Sequence, residues 1–101
     1  IEYDPKAKKK FLNKNTLIFL KDVYEELSRL DEFSSEEIEK IFMKIVERHN
    51  TKLGKVAQPV RVAVTGGTVS PGIFDVLEIV GKDRTLERLK RAMDIAAHSD
   101  V

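Results

Sequence analysis

The sequence predicts an all-α fold, a small helical bundle of five or six short helices. Two observations carry this. Apolar residues recur at intervals of three and four in separate stretches, the spacing that lays one stripe along a helix. Between those stretches stand start and stop signals: Pro5, Ser34-Ser35-Glu36-Glu37, Gly66-Gly67, Ser70-Pro71 and Gly81. A chain of 101 residues makes one domain with a small core.

The first element is expected over 5–12, where Pro5 suits a first helical position because the N–H it lacks would have no partner there. Asn13 is expected to cap the next helix, along which Leu17, Leu20, Tyr24, Leu27 and Leu30 share one face. Ser34 and Glu37 have the spacing of a capping box, in which each side chain bonds the other residue's backbone N–H. Ile38, Ile41, Phe42, Ile45 and Val46 then follow the helical period, with the end expected near His49 or Asn50.

The stretch 56–67 points two ways. Val60, Val62 and Val64 alternate with Arg61, Ala63 and Thr65, a period of two that slightly favours a strand. Pro59 suits a helix start, Arg61 and Ala63 are good helix formers, and Gly66-Gly67 reads as a stop. No second alternating run exists to pair with a lone strand, so helix is chosen. Ser70-Pro71 then reads as a cap and first helical residue. Ile73, Val76, Leu77 and Val80 form the next face, which stops at Gly81. Asp83 is expected to cap the last helix. There Leu86, Leu89, Met93 and Ala96 face inward, Arg84, Arg88 and Arg91 line another side, and the tail 98–101 frays.

The chain has no cysteine, which excludes disulfides, zinc-thiolate sites and thiol nucleophiles. Its two histidines, His49 and His98, have no metal-ligand spacing, and Ser34, Ser35 and Ser70 fall at cap positions. Thr65-Gly66-Gly67-Thr68 fails as a phosphate loop, because Val69 and Ser70 stand where Lys and Ser or Thr are needed. No apolar run is long enough to span a bilayer. A cytosolic location and a monomeric state are expected. The chain opens at Ile1 rather than Met, so it is expected to be an excised piece of a longer protein.

Net charge is only +1, so binding to nucleic acid requires local clustering. Two clusters qualify. Lys6, Lys8, Lys9, Lys10 and Lys14 crowd the N-terminus, as a solvated face or along a phosphate backbone. From Arg48 to Phe74 there is no acidic residue, while Arg48, Lys52, Lys55 and Arg61 are present. Arg61 beside the free N–H groups of a helix start at Ser70-Pro71 suits the polar edge of an unstacked base, since a guanidinium bonds two acceptors at once. A solvent-facing Arg61 explains the charge pattern equally well.

The run Gly54-Lys55-Val56-Ala57-Gln58-Pro59-Val60-Arg61-Val62-Ala63-Val64-Thr65-Gly66, continued by Ser70-Pro71-Gly72-Ile73-Phe74-Asp75-Val76, resembles the C-terminal signature of bacterial-type glutamyl-tRNA synthetases. Gly81-Lys82-Asp83-Arg84, Leu86-Glu87-Arg88-Leu89 and the N-terminal Tyr3-Asp4-Pro5-Lys6-Ala7-Lys8-Lys9-Lys10-Phe11-Leu12 extend the likeness over essentially the whole chain. The resemblance implies that 1–101 is the C-terminal anticodon-binding helical domain, with 1–12 the end of a preceding helical segment, and that 56–67 is helical. It implies that Arg61 contacts an anticodon base and that the turn through Ser70 and Pro71 to Ile73 packs on the next one and reads its edge. Gln58 and Thr65 are implied neighbours, and Lys8, Lys9 and Lys10 are set near the anticodon stem. The partner implied is glutamate tRNA, with neither DNA nor membrane. No cofactor is expected in this piece, and ATP and Mg are expected in the parent ligase, whose catalytic nucleotide-binding signatures are absent here. The rival readings are a non-catalytic protein-interaction module and a free-standing enzyme.

Overall fold

The computed structural model describes residues 1–100, which form six helices. These are α1 (Pro5–Phe11), α2 (Leu17–Ser28), α3 (Ser35–Arg48), α4 (Leu53–Thr65), α5 (Ile73–Val80) and α6 (Lys82–Ala97). Among the described residues there is no strand, and the expected all-α bundle is what forms. Val101, the last residue of the tail expected to fray, lies outside the described residues.

Helix α4 is the axis of the bundle: each of the other five helices packs against it. Val56, Ala57, Pro59, Val60, Val62, Ala63 and Val64 are all buried. A helix that is apolar on nearly every side belongs in the middle of a core. That explains the misleading alternation. Val60, Val62 and Val64 do not mark one face of a strand; they point to different neighbours around a helix. The helix also starts earlier than expected. Pro59 lies in its interior rather than at its head, and Lys52, which offers no capping side chain, precedes the first turn.

Other boundaries shift for local reasons. Asn13 does not cap α2. Its amide donates to the Lys10 carbonyl at 2.9 Å and its Oδ1 accepts from Asn15 N at 2.9 Å. It therefore closes α1, and Thr16 is the residue ahead of α2. Burial of Asn13, at 6% exposure, is tolerable because both ends of its amide are bonded. On α2 the fully buried positions are Leu20, Val23 and Leu27, so the inner stripe is rotated toward Val23. On α3 half of the capping box forms. Ser34 Oγ accepts from Glu37 N at 3.3 Å, while the Glu37 carboxylate pairs with Lys40 at 2.8 Å instead of returning to Ser34. Asp83 lies within the first turn of α6 rather than capping it, and Gly81 joins α5 to α6 directly.

Helices α2 and α3 are laced by ions as well as by packing. Glu26 accepts from Arg48 Nη2 at 2.9 Å and from Lys44 Nζ at 3.3 Å. Asp22 lies 2.5 Å from His49 Nε2 and 3.4 Å from Arg48 Nη1. The Phe19 ring meets the His49 ring edge-on, with centroids 5.3 Å apart. The hydrogen bond from Arg48 is the main reason the Glu26 carboxyl sits below its usual value of 4.5.

Gly66 ends α4 with φ +87°, a left-handed conformation that L side chains rarely adopt. Its surroundings are more restrictive still. A Cβ there would stand 2.1 Å from the Glu2 carbonyl oxygen, and Asp4 N donates to Gly66 O at 2.8 Å. The N-terminal segment is thus fastened across the end of α4.

Three outcomes are expected. Gly66→Ala should lower unfolding free energy in denaturant titration by more than about 2 kcal/mol, combining backbone strain with a clash. Gly67→Ala, whose Cβ would meet nothing within 4 Å, should stay within about 0.5 kcal/mol of the parent. Glu26 has a lowered folded-state pKa, so its contribution is complete above 4.5 and is lost as pH falls below that value. Glu26→Gln should therefore flatten the acid limb of a plot of melting temperature against pH. An unchanged limb would show that the lacing contributes nothing.

Candidate functional site

From Val56 to the end of α4 the positions that escape burial are set by arithmetic. Gln58, Arg61 and Thr65 stand three and four residues apart, so they share one side of the helix, and all three are half-buried. They form the polar stripe of an otherwise apolar rod. The chain then turns at Gly66 and comes back past the same stripe through Ser70 and Pro71 before α5 begins.

The stripe and the returning loop are bonded together. Arg61 Nε donates to Ser70 Oγ at 2.8 Å, and Arg61 Nη1 donates to the Gln58 side-chain carbonyl. Thr65 Oγ1 donates to the Arg61 carbonyl at 2.7 Å and accepts from Gly67 N at 3.3 Å. The residues expected to act together, Gln58, Arg61, Thr65 and Ser70, therefore form one connected corner. Every partner of the guanidinium in it is neutral. Among the described residues no carboxylate pairs with Arg61, and its Nη2 has no hydrogen-bond partner. The corner thus presents a fixed positive charge with donors still open, oriented by two bonds on its inner edge.

The loop departs from expectation in one respect. Ser70-Pro71 is not the cap and first residue of α5, which starts at Ile73 behind Gly72. Ser70 Oγ is committed elsewhere, accepting from Arg61 and lying 2.8 Å from the Pro71 carbonyl. Pro71 is exposed, and Val69, two residues before it, is 91% exposed, a large apolar side chain with nothing over it. Ile73 is 4% exposed and faces the core, so toward the loop it offers backbone only. Phe74 packs edge-on against Phe42 at 5.3 Å.

Comparison with known proteins shows the family to which the chain belongs. A family model described as an anticodon binding domain matches residues 1–93. The chain belongs to the anticodon-binding domain family. It is 57% identical over 94 residues to the glutamate–tRNA ligase of Thermodesulfovibrio yellowstonii, covering 93% of this chain and 20% of that protein. To the glutamate–tRNA ligase of Syntrophobacter fumaroxidans it is 50% identical over 93 residues, 92% of this chain and again 20% of that protein. A crystal structure of a glutamate tRNA ligase from Elizabethkingia meningosepticum, in complex with its amino acid, superposes with a TM-score of 0.84 at 30% identity, over 92% of this chain and 18% of that one. The chain thus spans about a fifth of the length of the ligases it matches.

Within this anticodon-binding domain the N-terminal lysines do not join the Arg61 corner. Lys8, Lys9 and Lys10 are all exposed on α1. Lys8 and Lys9 line a groove of about 600 Å³ with Leu12, the α6 residues Asp94 and Ile95, and His98 just beyond that helix, and none of the corner residues borders it. Lys10 Nζ lies 5.3 Å over the Phe11 ring. Two contributors at the end of α4 escaped the sequence reading. Arg88 Nη1 donates to the Val64 carbonyl at 2.8 Å, and Tyr3 lies under the Arg91 guanidinium at 5.3 Å. The spacing of Arg84, Arg88 and Arg91 marked a shared side of α6, but nothing in it indicated that the side meets the end of α4.

Proposed function

We propose that this domain inspects the anticodon of glutamate tRNA on behalf of a glutamate–tRNA ligase, the longer protein of which it is a part. That ligase attaches glutamate to its tRNA in translation with ATP and Mg. The observation that carries the reading is the Arg61 corner. It is a guanidinium held on one edge by Ser70 and Gln58, open on the other, and free of any carboxylate partner. The family match over residues 1–93 and the ligase relatives supply the class of ligand.

The mechanism is binding rather than chemistry. A base splayed from the anticodon loop lies against the corner and accepts from the open Nη donors of Arg61. The next base rests on Pro71, with the backbone from Ser70 to Ile73 facing its edge. Bases read in this way are unstacked, with their pairing edges exposed to the protein. A wrong base at Arg61 leaves a desolvated donor without an acceptor, which costs about 1–3 kcal/mol. That corresponds to roughly a tenfold to hundredfold preference, since tenfold is about 1.4 kcal/mol. Gln58 and Thr65 hold the fork and its helix turn in place. Lys8, Lys9 and Lys10 lie along the phosphates of the anticodon stem, where they add affinity without base preference.

No group of acidic or histidine side chains suited to a metal ion occurs among the described residues. ATP and Mg belong, in this reading, to other parts of the ligase. Among the described residues no helix is long and apolar enough to cross a membrane.

Arg61→Ala should weaken binding of a glutamate-tRNA anticodon hairpin by about tenfold to hundredfold and level the preference among hairpins altered at one anticodon base. Fluorescence anisotropy at fixed salt measures both. Unchanged affinity together with unchanged preference would remove Arg61 from the interface.

A further inference from the structure

At the end of α4 remote from its capless start, α6 presents Arg84, Arg88 and Arg91 around a cavity of about 220 Å³ whose remaining walls are Ile1, Tyr3 and Glu87. The spacing of four and three residues puts the arginines on one side of the helix. Glu87 is the single acid among these residues, so the cavity is cationic. The Tyr3 phenol oxygen is buried and has no hydrogen-bond partner, while the Arg91 guanidinium lies 5.3 Å above the same ring. Burial raises the Tyr3 pKa against the opposing pull of Arg91 and Arg88, so the phenol keeps its proton and remains a donor. Arginine forks and a neutral hydroxyl are donors that suit phosphate oxygens.

The cavity is tied to the corner already described. Arg88 is anchored on the Val64 carbonyl at 2.8 Å, three residues along α4 from Arg61. Asp4 N, next to Tyr3, donates to Gly66 O at 2.8 Å. The α6 arginines therefore reach α4 at Val64, within about 5 Å of axial rise of Arg61 at about 1.5 Å per residue. A nucleotide whose base is held at Arg61 carries its backbone past that same turn.

We propose that Arg84, Arg91 and the Tyr3 hydroxyl, with Arg88 as the fixed wall between them, form a clamp for one phosphate of the RNA backbone flanking the inspected base. This rests on the anticodon-reading corner proposed above. The clamp supplies affinity and register, and Arg61 supplies selectivity.

The test uses this chain and the same hairpins. Arg84→Gln/Arg91→Gln removes two exposed cations and leaves Arg88 on Val64. Arg84→Lys/Arg91→Lys keeps the charge and serves as the second variant. For the Gln pair, affinity should fall by the same factor for every anticodon. The slope of log affinity against log salt should become shallower by about 0.7 for each phosphate that is no longer neutralised. The Lys pair should keep most of the slope. Hairpins carrying one neutral methylphosphonate linkage at a time should reveal a position that weakens the parent chain but not the Gln pair. If the Gln pair keeps the parent's salt slope, or no linkage behaves in that way, the clamp is overturned while the Arg61 result stands. If Arg61→Ala changes nothing but the slope still falls, the clamp holds and the base-reading proposal fails. A parent chain that does not bind the hairpins at all overturns both.

Discussion

The structure depends on a helix that has almost nowhere to put a polar side chain. Five helices surround α4, and seven of its residues are buried. Beyond its first turn, which exposes Gly54 and Lys55, the outlet is the line through Gln58, Arg61 and Thr65. A guanidinium placed on that line has one direction to face, and the chain returns there because Gly66 turns it back. The left-handed φ and the absence of room for a Cβ both require glycine, and the backbone bond from Asp4 to its carbonyl fastens the turn in place. Core packing thus fixes the position of a polar group that no core interaction uses.

Such fixation is what recognition requires. A free arginine on a surface helix would lose side-chain entropy on meeting a ligand, which weakens the gain from each hydrogen bond. Arg61 has given up much of that freedom already. Two of its donors are taken by neutral partners, which settles the fork's orientation and leaves Nη2 without a partner. Neutral partners matter as much as orientation. A carboxylate in the place of Gln58 or Ser70 would compete with any anionic or carbonyl acceptor on the ligand. The absence of acids from Arg48 to Phe74 is therefore a property of the site and not only of composition.

Much of this was legible beforehand, and the failures have physical causes. Period-3.6 stripes on α3, α5 and α6 survive in the structure because each of those helices has a wet side to contrast with a dry one. The stripe on α4 disappears because contrast is lost when burial is nearly complete, so Val60, Val62 and Val64 imitate a strand. The family likeness resolved that segment where periodicity did not. Its complement, Gln58-Arg61-Thr65, was the usable signal, a polar line at helical spacing in an apolar run. Cap assignments misled where a side chain had a better offer. Asn13 found the carbonyls of α1, and the Ser70 hydroxyl found Arg61. A short-range rule weighs only the neighbouring backbone, and both residues were claimed by groups it did not consider. Ile73 was placed at the interface on likeness, and packing turns its side chain into the core.

The central claim is that Arg61 and Ser70 act as one recognition unit, so the most direct measurement is a double-mutant cycle on hairpin affinity with Arg61→Ala, Ser70→Ala and the pair. Because the hydroxyl acts by holding the guanidinium, removing it should matter little once Arg61 is gone. The predicted result is a coupling energy of about 0.5–3 kcal/mol. Losses that simply add, within about 0.5 kcal/mol, would show that the bond between them has no part in binding RNA.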